Sequence, residues 1–199
     1  MKHAQIMGAH ALDTHTLETY IELEAGSETK YEYYDGYIHA MAGGSPEHGE
    51  IAVNVSTALK NALKAAGKPC KPLSSDVKVA INRANRRFYP DVSVVCGPVE
   101  RDKKEPKAIT NPLLVVEVLS ESTESLDRGE KFRAYRQLES LREYVLVSQD
   151  KVLVEVFSRT PDGSWNIQTA IGLDQEISLP ALDIRINTTD LYEGVEGLP

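Results

Sequence analysis

Residues 113–119 read LLVVEVL, six aliphatic side chains interrupted once, by Glu117. A run this short and this apolar predicts a strand in the middle of a sheet, covered on both faces. Immediately behind it, residues 127–138 (DRGEKFRAYRQL) place Phe132, Tyr135 and Leu138 three apart, which predicts a helix with one buried stripe. Asp127 and Glu130 have the spacing of a capping pair at its start. Residues 143–147 (EYVLV) then return as a second apolar strand. Strand, helix and strand in this order predict a βαβ crossover, and the fold class is α/β.

Upstream, residues 16–24 predict a short amphipathic helix ended by Gly26. Residues 30–42 (KYEYYDGYIHAMA) carry Asp35-Gly36 between two aromatic-rich runs, and this dipeptide tolerates the positive φ angles of a tight hairpin turn. Ser45-Pro46-Glu47-His48 has the chemistry of a helix start. Ile51, Val55, Ala58, Leu59, Ala62 and Leu63 then recur at helical spacing until Gly67. Val77, Val79 and Ile81 alternate with Lys78 and Ala80, which predicts a half-exposed strand. The turn INRANRR leads into a strand over residues 88–96 (FYPDVSVVC). Downstream, residues 152–157, 165–170 and 176–179 predict further strands, with a turn at Asp162-Gly163. The sum is one mixed β-sheet flanked by helices, a single domain over residues 16–199. Residues 1–15, with His3, His10 and His15, read as a flexible tail.

Composition narrows the function classes. The 199 residues carry 22 Lys+Arg against 30 Asp+Glu, a formal net charge of -8, with 41% hydrophobic residues. Such a chain can bury a core without staples, and its acidity argues against a general coat for polyanions. No uninterrupted apolar run exceeds four residues, too short for a helix that spans a bilayer, so no membrane partner is expected. The N-terminus lacks the apolar stretch of a secretory signal. Cys70 and Cys96 form no Cys-x-x-Cys pair, so neither a disulfide framework nor a thiolate zinc site is expected, and a reducing cytoplasm is the expected compartment.

Two carboxylates break the apolar pattern. Glu117 interrupts the most buried-looking strand, and an unpaired buried carboxylate costs several kcal/mol, on the order of the penalty for any buried ion. Asp91 follows Pro90, which cannot donate to a sheet ladder and so marks a strand start or an edge. If the two strands are neighbours, both carboxylates converge, and like charges at short range share a proton or bind a cation. A hard ion such as Mg²⁺ is satisfied by two carboxylates, a backbone carbonyl and waters. A second reading stays open: a strand-end Asp in a turn, and a Glu paired with Arg or Lys. Lys131, in the first turns of the following helix, can point back over the end of the Glu117 strand, and Tyr135 shares its helix face at i+4. A solvated helix lysine is the plain alternative.

Pro90-Asp91, the strand Glu117-Val118-Leu119 and Lys131 together resemble the PD-(D/E)xK nuclease signature with its lysine displaced. YEYYDG, the SPEH helix start, YPDVSVVC, VVEVLSEST, DRGEKFRAYRQL and EYVLVS, in order from Leu17 to Tyr192, resemble the Uma-type restriction endonuclease family of that superfamily. One position departs from the superfamily pattern: Leu119 stands where the lysine belongs, and the resemblance implies that Lys131 replaces it.

The resemblance implies a restriction-endonuclease-like mixed sheet flanked by helices, and metal-dependent hydrolysis of DNA phosphodiesters. Asp91, Glu117 and Lys131 are the implied catalytic residues, with Asp91 and Glu117 holding Mg²⁺ or Mn²⁺. An acid from the first core helix is expected to assist, for which Glu50 is the candidate, with Glu47 close by. His48 and Glu32 occupy positions typical of this branch. His48 either touches a phosphate or carries a proton, or is satisfied by local hydrogen bonds; Glu32 joins the site or faces solvent. Asp76 either reaches the site or caps a turn. For DNA contact, Lys78, Arg83, Arg86 and Arg87 cluster on one strand pair and its turn, and Arg101, Lys103, Lys104 and Lys107 on the next loop; both sets are phosphate tracks or merely solvated charge. A homodimer is expected, since cutting both strands of a duplex needs two sites. Two other function classes remain: a non-catalytic DNA-binding or regulatory module that kept the fold, and a structural homodimer whose buried carboxylates only fix packing.

Overall fold

The computed structural model describes residues 14–198. The expected N-terminal tail, with His3 and His10, therefore lies almost wholly outside the described residues.

Local chemistry builds the first elements as expected. Helix α1 (Leu17–Ala25) starts at Thr16, whose side chain accepts from the Thr19 N–H. Strands β1 (Tyr31–Tyr34) and β2 (Tyr37–Ala40) are joined by Asp35 at φ 49° and Gly36 at φ 106°, the paired positive angles of a type I′ hairpin turn. Helix α2 (Pro46–Ala65) is capped by Ser45, whose hydroxyl accepts from His48 N–H at 3.2 Å, and it buries Ile51, Val55, Leu59 and Leu63 along one stripe.

The rest of the fold holds strands β3 (Cys70–Ser74), β4 (Val79–Ile81), β5 (Arg86–Phe88), β6 (Val92–Cys96) and β7 (Leu114–Leu119). Helix α3 (Glu124–Leu126) runs through a π-helical turn (Asp127–Lys131) into α4 (Phe132–Tyr135). Strands β8 (Glu143–Ser148), β9 (Leu153–Arg159), β10 (Trp165–Ile171), β11 (Glu176–Leu179) and β12 (Ile184–Asn187) and helix α5 (Thr188–Leu191) complete it.

The single sheet expected from sequence is three sheets among the described residues: six strands in the order β10-β9-β8-β7-β6-β3, four in the order β2-β1-β5-β4, and the pair β11-β12. The reason sits at Pro90. The run read as one strand over residues 88–96 is two, because the chain leaves the four-stranded sheet after Phe88 and enters the six-stranded sheet at Val92. A residue without an N–H cannot continue the ladder across that gap.

The crossover itself is as expected. β7 and β8 pair in parallel while every other pair in the three sheets is antiparallel. All six residues of β7 are buried. Leu114, Val116 and Val118 face the cluster that contains the α2 stripe, whereas Val115 and Leu119 face the cluster of Tyr135, Leu141 and Tyr144. Glu117 alternates onto this second face.

Several sequence expectations are corrected. Strand β4 is fully buried, not half-exposed, because Lys78 beside it is only 3% exposed and is paired with Glu24 and Glu105. Asp127 does not cap a helix; it lies inside the π-helical turn, buried. Strands β3 and β12 and helix α5 carry no apolar run strong enough to announce them. Cys70 and Cys96 are direct partners in the antiparallel β3–β6 register, with Cα atoms 3.9 Å apart, and form a disulfide. The absence of a Cys-x-x-Cys spacing says nothing about such a cross-strand pair. No helix among the described residues is long and apolar enough to cross a membrane.

Candidate active site

The site lies where the two larger sheets meet. Val92 pairs with Val116 and Ser93 with Val115, so Asp91, one residue before β6, falls level with Glu117 on β7. Asp91 Oδ2 accepts from the Val118 N–H at 2.7 Å. Its other oxygen, Oδ1, is 2.9 Å from His48 Nε2, which the N-terminal turn of α2 delivers.

Lys131 stands at the centre. Its Nζ is 3.1 Å from Asp127 Oδ1, 3.4 Å from Glu117 Oε1 and 3.4 Å from Glu32 Oε1. The three acids come from the π-helical turn, the six-stranded sheet and the four-stranded sheet respectively. Each has a second tether. Tyr135 OH donates to Glu117 Oε1 at 3.2 Å, and Tyr34 OH donates to Glu32 Oε2 at 2.6 Å. Glu32 Oε1 also accepts from the Tyr89 N–H at 3.1 Å, and Tyr144 OH donates to the Asp127 carbonyl at 2.9 Å.

Burial makes these charges costly. Glu32, Glu117 and Asp127 are 6%, 3% and 2% exposed, and the one ammonium among them is 6% exposed. Burial drives the Glu117 carboxyl well above its ordinary range; Lys131 opposes the shift, while Asp127, Asp91 and Glu32 add to it. Burial also raises Asp127, again against Lys131. For Lys131 burial acts the other way, but the combined attraction of Glu117, Glu32 and Asp127 outweighs it and holds the ammonium charged, its pKa well above the usual value. The hydrogen bond that His48 makes to the Asp91 carboxylate raises the imidazole pKa against the effect of burial.

A family model described as "Uma2: Putative restriction endonuclease" matches residues 17–189. The chain belongs to the Uma2 family. The uncharacterized protein slr1290 of Synechocystis is 40% identical over 178 residues, covering 89% of this chain and 91% of that protein. A second Synechocystis protein, the uncharacterized sll1609, is 31% identical over 169 residues, covering 85% and 94%. Among solved structures, a putative nuclease of DUF820 from Anabaena variabilis superposes with a TM-score of 0.71 at 16% identity, over 89% of this chain and 97% of that one. That likeness is one of fold, and it agrees with the restriction-endonuclease-like α/β class.

In this Uma2 chain the structure brings together Asp91, Glu117, Lys131, Tyr135, His48 and Glu32. Glu32 is buried rather than solvent-facing, because its carboxylate meets Lys131 of the π-helical turn and the Tyr89 N–H. Asp76 and Glu50 are not part of the cluster. Asp76 is exposed and bonded to Lys30 at 2.6 Å, and the Glu50 carboxylate lies over Gly194. Sequence reading missed Asp127 and Tyr34. The i,i+4 spacing of Asp127 and Lys131 was the available signal, read instead as part of a cap.

Of the expected DNA track over Lys78, Arg83, Arg86 and Arg87, two members, Lys78 and Arg87, are buried. Arg87 is fully buried, its Nε donating to Glu105 Oε2 at 3.2 Å and its Nη2 to Asn82 Oδ1 at 2.9 Å. Lys78 and Arg87 therefore belong to an internal ion network with Glu24, Asp102 and Glu105. Arg83 is bonded to Glu139 at 2.5 Å, and Arg86 donates to the Ala84 carbonyl at 3.1 Å.

The donor set suits a hard divalent cation. Three buried carboxylates around one ammonium leave an excess of negative charge that a proton or a cation must offset. Asp91 and Glu117 stand level on neighbouring strands and are the two carboxylates available to such an ion. Asp127 Oδ1, though near Lys131, makes no hydrogen bond. Among the described residues no group of three or more His, Cys, Asp or Glu side chains has metal-site geometry, so such an ion would draw on these two carboxylates, backbone carbonyls and water.

Proposed function

We propose that this Uma2 protein is a metal-dependent endonuclease that hydrolyses DNA phosphodiester bonds, acting in the cytoplasm as a homodimer of single domains spanning residues 16–199. The observation that carries the reading is the Lys131 ammonium 3.4 Å from Glu117. Leu119, at the superfamily's lysine position, is buried at 3% exposure, and the helix supplies to the same carboxylate the ammonium that the strand lacks.

Asp91 and Glu117 would hold Mg²⁺ or Mn²⁺, which would supply Lewis-acid polarisation of a phosphoryl oxygen and acidify a water. Lys131 is placed to orient a nucleophilic water and to stabilise charge developing on the phosphorus oxygens. Tyr135 and Tyr34 fix the carboxylates of Glu117 and Glu32, so the ammonium is held rather than mobile. His48 orients Asp91 through the 2.9 Å contact and stands where it can reach a phosphate at the N-terminus of α2.

A second reading has one observation in its favour. Lys131 is already surrounded by three acids, and both Asp91 oxygens are engaged, as in a non-catalytic DNA-binding or regulatory module that keeps a closed site.

The deciding experiment is cleavage of supercoiled and single-stranded DNA with Mg²⁺ or Mn²⁺, by wild type, Asp91→Ala and Lys131→Ala, each checked for folding by circular dichroism. The nuclease reading expects activity in the wild type that EDTA and both substitutions abolish. Activity that survives both substitutions places the chemistry elsewhere, and no cleavage by a folded wild type favours the binding module.

A further inference from the structure

The chain has ten arginines. Arg83, Arg86, Arg87, Arg128, Arg133 and Arg185 each have a carboxylate oxygen within 4.0 Å. Among the described residues Arg101, Arg136, Arg142 and Arg159 have none, and the last three stand together. In a chain of net charge -8, acids are plentiful, so a group of arginines without them is unusual.

Arg142 and Arg159 face each other across β8 and β9. The Arg159 N–H donates to the Arg142 carbonyl at 2.8 Å, next to the Glu143–Ser158 pair of the ladder. Like charges directly opposite each other destabilise a sheet pair. Arg136, at the end of α4, closes the group: the Arg159 guanidinium donates to its carbonyl and, at 3.2 Å, to that of Leu138. Burial, then the nearness of Arg142 and Arg136, lowers the Arg159 pKa, the direction expected where cations crowd without a counter-ion.

Two of the guanidinia also lie beside aromatic rings. Arg159 lies 5.0 Å from the Trp165 ring centre and Arg136 lies 5.3 Å from that of Phe132, and the two rings meet edge to face at 5.2 Å. Arg142 and Arg159 line an open groove with Ser158, Thr160 and two acids, of which Glu139 is paired with Arg83 and Glu143 is buried and accepts from the Ala181 N–H. The Arg159 N–H edge is taken up by the Arg136 and Leu138 carbonyls, so the exposed Arg136 and Arg142 are the guanidinia open to bidentate contact with phosphate, and Arg159 adds its charge.

We propose that Arg136, Arg142 and Arg159 form a second binding site, for the phosphodiester backbone of nucleic acid. The proposal rests on the nuclease reading for the identity of the polyanion. The register Leu114–Glu143 sets Arg142 level with Leu113, roughly 13 Å along β7 from Glu117 at the usual rise per strand residue. That is about four base steps of a duplex. The site replaces the track expected at Lys78 and Arg87, which are buried.

The test is the salt dependence of binding to a short fluorescein-labelled DNA duplex, followed by anisotropy in EDTA so that nothing is cut. The exposed pair Arg136→Glu/Arg142→Glu is compared with Lys60→Glu/Lys64→Glu, which makes the same charge change on the exposed side of α2. The expected result is a loss of affinity of about tenfold or more and a fall of roughly 2 in the slope of log K against log salt for the arginine pair only. An unchanged slope overturns the proposal, as does a wild type that binds no duplex. So does an altered oligomeric state of the arginine variant in light scattering, which would make the patch a contact between copies. Asp91→Ala keeps the slope, so the two readings fail separately. Cleavage with an arginine-independent slope removes the patch and leaves the nuclease, whereas arginine-dependent binding without cleavage does the reverse.

Discussion

Lys131 Nζ and Asp127 Oδ1 lie 3.1 Å apart on successive turns of one helix, yet both side chains are buried, and the ammonium reaches acids on strands of two different sheets. A pair at this spacing on an exposed helix contributes little, about 0.2–0.5 kcal/mol. Here the same pair is the hinge of a buried cluster, since the ammonium also serves Glu117 and Glu32.

Removing that ammonium should therefore cost stability as well as activity. Lys131→Ala leaves three buried carboxylates without a cation, and breaking a buried pair in this way costs about 3–5 kcal/mol. The loss should be larger at pH 8 than at pH 5, because protonation relieves the repulsion at the lower pH. Urea denaturation at the two values measures it, and an equal deficit at both would contradict the account.

Lys78 makes the opposite functional forecast. Because it is enclosed by Glu24 and Glu105, Lys78→Met should destabilise the fold by about 3 kcal/mol, the cost of stranding buried charge. It should leave the salt slope of DNA binding unchanged. A variant of wild-type stability with a reduced slope would restore Lys78 to the DNA surface.

Glu143 provides a pH dependence outside the candidate site. It is fully buried, its Oε1 accepts from the Ala181 N–H at 3.1 Å and its Oε2 has no partner. Burial, opposed by the Ala181 bond, pushes its carboxyl up to about 7 from 4.5. Between those values the folded chain holds a proton that the unfolded chain has released, so stability falls as pH rises through the interval and levels off above 7. The full difference is about 3 kcal/mol. Glu143→Gln should flatten this part of the stability–pH curve and be the more stable protein at pH 8, read from urea midpoints.

Much of this fold was legible because short-range chemistry controls it. Ser45-Pro46 starts α2, Asp35-Gly36 makes the hairpin, and the LLVVEVL run could only be a central strand. Glu117 and Lys131 were legible for a related reason: a charge inside an apolar strand needs a partner, and the following helix is the nearest source of one. Glu50 and Asp76 could not be sorted from Glu32 by the same reasoning, since all three are acids near the ends of predicted elements and only packing decides which is enclosed.

The sequence by itself determined the βαβ centre, the family, and the carboxylates that must be compensated, because periodicity, turn chemistry and the cost of burying charge act over a few residues. Only the tertiary structure decided that the chain changes sheets at Pro90, that Cys70 meets Cys96, and that Glu32 and Asp127 close around Lys131. It also decided that Lys78 and Arg87 turn inward while Arg136, Arg142 and Arg159 gather at the surface. A side chain's exposure depends on which distant element packs over it, and local pattern carries no record of that.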